Sequence, residues 1–355
     1  MKKNINVLIT GPLPPPAGGI SVHIWRLKHL LENDFNLDFI DEAKDKKNNY
    51  FNIKSLNIFK YLKRIIASDV LFIHSGNKLL KKLHIITGKL FKKKIIITLH
   101  GYGPRRKMPF RAIDAAVFKL ADKIILVNSD IYKKLSLPLD KCIVKHAFLP
   151  PVLSEEPNLP NNINEEIKKA RQQNKIIICA NASRLDTHNN QDLYGLDICV
   201  ETIRRLVNKG LPVYFIFTVS SLAKGENRFN EALSLIKKYK LENNFLLLNE
   251  KLSFVKLIES SDIVLRPTNT DGDALTVREA LFLGKKVLAS DIVERPEGTN
   301  LFKTRDIDSL EKQLESLINE KKSNAVKNLN ETSENDSNSL KDFYSTLISN
   351  LFIKK

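Results

Sequence analysis

The residues best suited to chemistry lie in one stretch: Arg266-Pro-Thr-Asn-Thr-Asp271-Gly272-Asp273-Ala274-Leu275-Thr276-Val-Arg-Glu279, running on to Gly284 and Ser290. Its pattern is a strand, an acidic glycine-containing turn, a helix and a second strand. Backbone N–H groups at such a helix start can meet phosphates or sugar hydroxyls. A carboxylate in the first helical turns can accept both hydrogen bonds of a ribose diol. The helix dipole alone also favours acids at a helix start, which accounts for Asp271 and Asp273 but not for Glu279.

Three other places carry similar potential. Gly18 and Gly19 precede a helix pattern, where glycine either lets a backbone approach a phosphate or simply turns the chain. His100 ends an apolar run and is followed by Gly101, a position that suits ligand contact or the capping of a turn. Behind it, Arg105, Arg106 and Lys107 form a solvated run or a phosphate clamp. Arg184 also follows an apolar run, and its guanidinium suits a bidentate hold on a pyrophosphate or a surface ion pair. No Gly-x-Gly-x-x-Gly or Walker motif is present, which removes support for dinucleotide and P-loop readings. No Ser-His-Asp order or HExxH motif points to hydrolysis.

These side chains need elements to hold them, and the chain alternates strand and helix patterns throughout. Strands are expected at Asn6–Thr10, Asp69–His74, Lys94–His100 and Lys123–Asn128, with helices at Ser21–Leu31, Lys78–Leu90, Phe110–Leu120 and from Ser129. The polar, proline-containing run 149–162 breaks the rhythm and reads as a linker. The alternation then restarts. Strands are expected at Lys175–Ala180, Val213–Val219, Phe245–Leu248, Asp262–Arg266 and Lys286–Ser290. Helices are expected at Gly195–Lys209, Arg228–Tyr239, Leu252–Ser260 and Val277–Leu283. Short, wholly apolar strands between helices predict parallel sheets covered on both faces. The expected architecture is α/β, with two doubly wound domains at 1–150 and 163–335 around a linker at 151–162. A last amphipathic helix within 340–355 is expected to pack back on the first domain. In such sheets ligands bind beyond the carboxyl ends of the strands, where all the candidate residues fall.

Composition narrows the partners. The 355 residues carry 57 Lys and Arg against 40 Asp and Glu, a net +17. Residues 1–150 hold 28 basic and 11 acidic residues, so they account for +17, and the remainder holds 29 of each. One-sided basicity suits an anionic partner. Lys54, Lys60, Lys63, Arg64, Lys81, Lys82, Lys89 and Lys92–Lys94 are interleaved with Ile, Leu and Phe. They suit an anionic membrane surface, or else line a solvated face over a core. Nucleic acid is not expected, since there is one Trp and no recognisable binding module. Cys142, Cys179 and Cys199 have no CxxC spacing, which fits a reducing compartment. No apolar run is long enough to span a bilayer and no signal-like start is seen, so a cytoplasmic location is expected.

Four segments together, GPLPPPAGGISVHIWRL (11–27), TLHG (98–101), ASRL (182–185) and DGDALTVREALFLGKKVLASD (271–291), resemble the family-4-type retaining glycosyltransferases of the GT-B fold. The last segment resembles the family's E-x7-E motif, with Asp271 and Glu279 in its acidic places. The resemblance implies two facing Rossmann-like domains with a cleft between them. It also implies sugar transfer from a nucleotide-diphosphate sugar to a hydroxyl with retained configuration, and no metal or other cofactor. Gly18 and Gly19 would line the donor diphosphate, and His100 would contact the transferred sugar. Arg184 would neutralise the leaving diphosphate. Asp271 with the backbone of Gly272, Asp273, Ala274, Leu275 and Thr276 would hold sugar hydroxyls and phosphates, and Glu279 would bind the ribose. The implied acceptor is a lipid-pyrophosphate-linked saccharide of bacterial surface-polysaccharide assembly, met at the inner face of the plasma membrane. Two positions depart from the pattern: the first acid is Asp rather than Glu, and Tyr194-Gly195 stands where the family has Lys-Gly. A nucleotide-sugar epimerase of the same fold and a catalytically silent sugar-nucleotide binder are the alternative readings.

Overall fold

The computed structural model describes residues 4–15, 18–102, 108–223, 225–272, 274–323 and 330–353, without the side chains of 321–337. The chain forms two compact units, residues 1–149 with 335–355, and residues 150–334.

The first unit is built on seven parallel strands: β1 (Asn6–Gly11), β2 (Asn36–Asp41), β3 (Phe51–Asn52), β4 (Val70–Ile73), β5 (Lys94–Leu99), β6 (Lys123–Leu126) and β7 (Cys142–Val144). Their order is β3-β2-β1-β4-β5-β6-β7. Wholly apolar runs such as Val7–Ile9 and Val70–Ile73 are buried because helices cover both faces. One face carries α1 (Gly19–Leu31), whose Ile24, Leu27 and Leu31 recur at helical spacing and are fully buried. Each such side chain contributes roughly 1.5–3 kcal/mol of burial free energy. The other face carries α2 (Ile58–Ala67), α3 (Lys78–Leu90), α4 (Phe110–Phe118) and α5 (Asp130–Leu135). Asn57 and Asn77 cap α2 and α3 by accepting backbone N–H bonds.

The second unit begins near the linker. The polar run expected to extend through residue 162 ends earlier, because α6 (Asn161–Gln172) starts directly after Pro160. Its Ile163, Ile167 and Ala170 form a buried stripe that drives the helix despite a polar first turn. The main sheet contains β8 (Ile176–Ala182), β11 (Val213–Val219), β12 (Phe245–Leu248), β13 (Ile263–Arg266), β14 (Lys286–Ser290) and β15 (Thr299–Phe302), ordered β12-β11-β8-β13-β14-β15 and all parallel. A small hairpin, β9 (Thr187–His188) with β10 (Gln191–Asp192), stands apart. One face of the sheet is covered by α7 (Leu196–Asn208), α8 (Glu226–Lys238) and α11 (Ile307–Ser323). The other is covered by α6, α9 (Phe254–Ser260) and α10 (Leu275–Phe282). The last helix, α12 (Asn330–Ser349), buries Tyr344, Leu347 and Ile348 in the core of the first unit beside α1.

Each sheet changes direction once. In the first unit the strand order runs one way from β1 and the other way from β4, so the reversal falls between those neighbours. In the second it falls between β8 and β13. Loops leaving the two sides of a reversal diverge and leave a crevice at the carboxyl ends of the strands.

Candidate functional site

The two reversals collect most of the chemistry-bearing side chains. In the first unit, His74 follows β4, His100 follows β5, and α1 brings His23 beside them. His74 Nδ1 lies 3.2 Å from His100 Nε2. His23 Nδ1 donates to the Ala147 carbonyl at 2.7 Å, which leaves Nε2 as a lone-pair acceptor. His23 Nε2 and His74 Nε2 are buried with no hydrogen-bond partner among the described residues. Such groups call for a hydrogen-bond partner, and the acceptor at His23 needs a donor such as a hydroxyl or water. Burial keeps the imidazoles neutral: His23 is lowered to about 4, and His74 and His100 fall well below the usual histidine value. Neighbouring charge on Lys81 depresses His74 and His100 further.

By ligand type these three histidines could hold a transition metal, since one nitrogen from each lies within 4.8 Å of the others. No carboxylate belongs to this group, and Lys81 and Arg26 add positive charge, which opposes a divalent cation.

Gly18 and Gly19 lie at the start of α1. Gly18 is the N-cap, its N–H donates to Ser21 Oγ at 2.8 Å, and Ser21 Oγ donates back to its carbonyl at 3.0 Å. Neither glycine has positive φ, and an added Cβ at Gly19 would meet no atom within 4 Å. The pair therefore keeps surface open rather than serving a strained turn. Arg105, Arg106 and Lys107 lie outside the described residues.

In the second unit, Ser183 and Arg184 follow β8, and Arg266 ends β13 across the reversal. Arg184 is 64 % exposed and pairs with Asp186 at 2.9 Å. Exposed pairs of this kind are weak, so the guanidinium can exchange partners. Asp271 departs from its expected availability. Its carboxylate accepts from Arg266 Nε and Nη2 (3.0 Å each), Thr268 Oγ1 (3.1 Å), Arg295 Nη1 (2.9 Å) and the Gly272 N–H (3.0 Å). Five bonds fill two oxygens, which leaves no lone pair for a sugar hydroxyl in this arrangement. Burial alone would raise its pKa, but Arg266 and Arg295 hold it below the usual carboxylate value.

Helix α10 starts at Leu275, with Thr276 in its first turn. Its cap residue, Ala274, has no side chain able to satisfy the helix's first N–H groups. Glu279 is buried on the same helix. Asp273 lies outside the described residues. The expected residues of this stretch therefore gather at one strand end, with an additional arginine, Arg295, that spacing did not single out. His23 and His74 were also not singled out, because nothing in their local sequence distinguishes them from buried core histidines.

The chain matches no protein-family model, and no curated protein matches it in sequence. Solved structures do match. A glycosyltransferase from Rickettsia africae is 16% identical, with a TM-score of 0.64 over 89% of each chain. HepE from Anabaena, solved in complex with UDP-glucose, is 14% identical, with a TM-score of 0.61 over 89% of this chain and 90% of that one. MnaA from S. aureus, solved with UDP, is 15% identical, with a TM-score of 0.55 over 90% of this chain and 88% of that one. At these identities the likeness is one of fold. With its two Rossmann-like parallel-sheet domains, the chain has the GT-B fold.

Proposed function

We propose that this protein is a glycosyltransferase that moves a sugar from a nucleotide-diphosphate sugar to an acceptor hydroxyl, with retention and without a metal. The observation that carries this reading is the strand reversal of the second unit, where Arg184 follows β8 and Arg266, which shares Asp271 with Arg295, ends β13 ahead of the uncapped start of α10. Helix N–H groups and guanidiniums stabilise the negative charge that develops on a leaving diphosphate. The UDP and UDP-glucose held by structural neighbours support the donor class. Glu279 binds the ribose, and the backbone from Gly272 to Thr276 receives phosphate and sugar. His100 meets the transferred sugar, held neutral by its burial, so that it exchanges hydrogen bonds with hydroxyls rather than pairing with carboxylates.

The acceptor is a lipid-linked saccharide of cell-surface polysaccharide synthesis, met on an anionic membrane. The first unit has a surface to match. Leu79, Leu83, Ile86 and Leu90 recur at helical spacing along α3 and are exposed, with Leu79 at 70% and Leu90 at 75%. Neighbouring α2 adds exposed Ile58, Phe59 and Ile66, and the two helices touch through Tyr61 and His84 at 3.0 Å. Lys60, Lys63, Lys78 and Lys89 accompany these apolar residues along the same two helices. An apolar stripe with a basic rim suits insertion at an anionic interface.

The test is transfer from a panel of nucleotide-sugars to a lipid-pyrophosphate saccharide, read as product mass and released nucleoside diphosphate. Glu279→Ala and Arg184→Ala should each abolish product. Epimerised donor formed without acceptor would replace this reading with the epimerase one, and unchanged turnover in either variant would remove the site.

A further inference from the structure

The family resemblance calls for a lysine where this chain has Tyr194, so one cation of a diphosphate site is absent from its usual place. The fold brings another cation there. Gly195 has φ +68, and a Cβ on it would collide with the Pro267 carbonyl oxygen. Only glycine lets the 194–195 segment pass this close to the end of β13. The Asn269 N–H donates to the Leu193 carbonyl at 3.0 Å and ties the two segments together. As a result the Tyr194 ring lies under Arg266, with the guanidinium carbon 5.3 Å from the ring centroid. The tyrosine hydroxyl reaches back to Ser183 Oγ at 2.9 Å, next to Arg184. Arg266 is clamped on its other edge by Asp271 through Nε and Nη2, and among the described residues Nη1 makes no hydrogen bond. Asp271 also holds Arg295, so among the described residues two guanidiniums share one carboxylate.

We infer that Arg266 is the second diphosphate-binding cation of this site, with Tyr194 as its stacking platform and Asp271 as its positioning carboxylate. This inference rests on the donor reading proposed above. It gives Tyr194 a reason to be aromatic: a lysine there would place its ammonium beside a guanidinium, whereas a ring face attracts one. It also explains why the first acid of the motif is saturated, since it works through the arginine rather than on the sugar. Arg266 and Arg184 then stand on the two sides of the strand reversal, each able to give a charge-assisted hydrogen bond to a phosphate oxygen.

The experiment measures binding of UDP, GDP, ADP and dTDP, and of the matching nucleosides, to the full-length protein by calorimetry. Arg266→Gln should weaken the preferred diphosphate by about 10- to 100-fold and leave its nucleoside within about twofold. Adding Tyr194→Lys to Arg266→Gln should restore most of that loss. Arg266→Lys, which keeps a charge and the fold, should fall between wild type and Arg266→Gln. Equal loss for nucleoside and diphosphate, or none for either, would overturn the role of Arg266 while leaving the donor reading intact. A double variant as weak as Arg266→Gln would overturn its standing in for the cation at 194. Wild-type protein that binds none of the diphosphates would overturn both readings.

Discussion

Asp271 carries the sharpest consequence at the scale of single residues. Its carboxylate is nearly enclosed with Arg295, which is only 2 % exposed. Removing one member of an enclosed pair strands the other charge, which typically costs about 3–5 kcal/mol. Asp271→Ala should therefore lower the unfolding free energy of the second unit by that order, read by urea denaturation. A loss below about 1 kcal/mol would show that the arginines find other partners. His23 gives a pH prediction. Its folded pKa of about 4 lies below the value of 6.5 for an exposed imidazole, so the unfolded chain binds more protons between those values. Stability is thus full above pH 6.5 and falls as pH drops towards 4, by about 3 kcal/mol from this residue. His23→Gln should flatten denaturation midpoints across that window, and an unchanged slope would contradict a buried neutral His23.

Among the elements, the turn before α7 and the pair α2 and α3 make separable predictions. Gly195→Ala must adopt positive φ and also displace the end of β13, so a loss above about 2 kcal/mol is expected in thermal unfolding. Leu79→Glu with Leu90→Glu changes only exposed positions, so stability should stay within about 0.5 kcal/mol of wild type. The same variant should lose sedimentation with anionic vesicles, and retained binding would point to the lysines alone. Much of the element layout was legible locally. The helix Lys78–Leu90 and the strands Val213–Val219, Phe245–Leu248 and Lys286–Ser290 coincide with their sequence patterns, since a strand packed beneath covering helices is a short apolar run and a helix shows its own spacing. By contrast, β2 begins with Asn36 and carries an exposed Asp38, and β15 begins with Thr299 and Asn300, so neither shows such a run. Helix α2 lies outside the expected elements although its Ile58, Tyr61, Leu62, Ile65 and Ile66 recur at helical spacing.

At the scale of the whole molecule, the described residues form four apolar clusters, two per unit, so each unit has a core able to melt on its own. A nucleoside diphosphate at a hundredfold its dissociation constant should stabilise the second unit by about 2.7 kcal/mol. Calorimetry should then show the upward shift in the transition of that unit, and a shift confined to the first unit would move the donor site. The charge is as uneven as the expected roles: the basic half carries the exposed apolar helices, and the neutral half carries Arg266, Asp271 and Arg295.

The sequence alone determined the α/β alternation, the two-domain division and the stretch that holds Asp271 and Glu279, because strand and helix periods and turn residues are written in neighbouring positions. Tertiary structure alone decided that Asp271 is spoken for by Arg266 and Arg295, that Tyr194 lies under Arg266, and that three histidines, from α1 and from just after β4 and β5, cluster together. Apart from Arg266 with Asp271, five residues on, those contacts join segments well separated in the chain, and pairing between charges or rings leaves no period for a sequence to display.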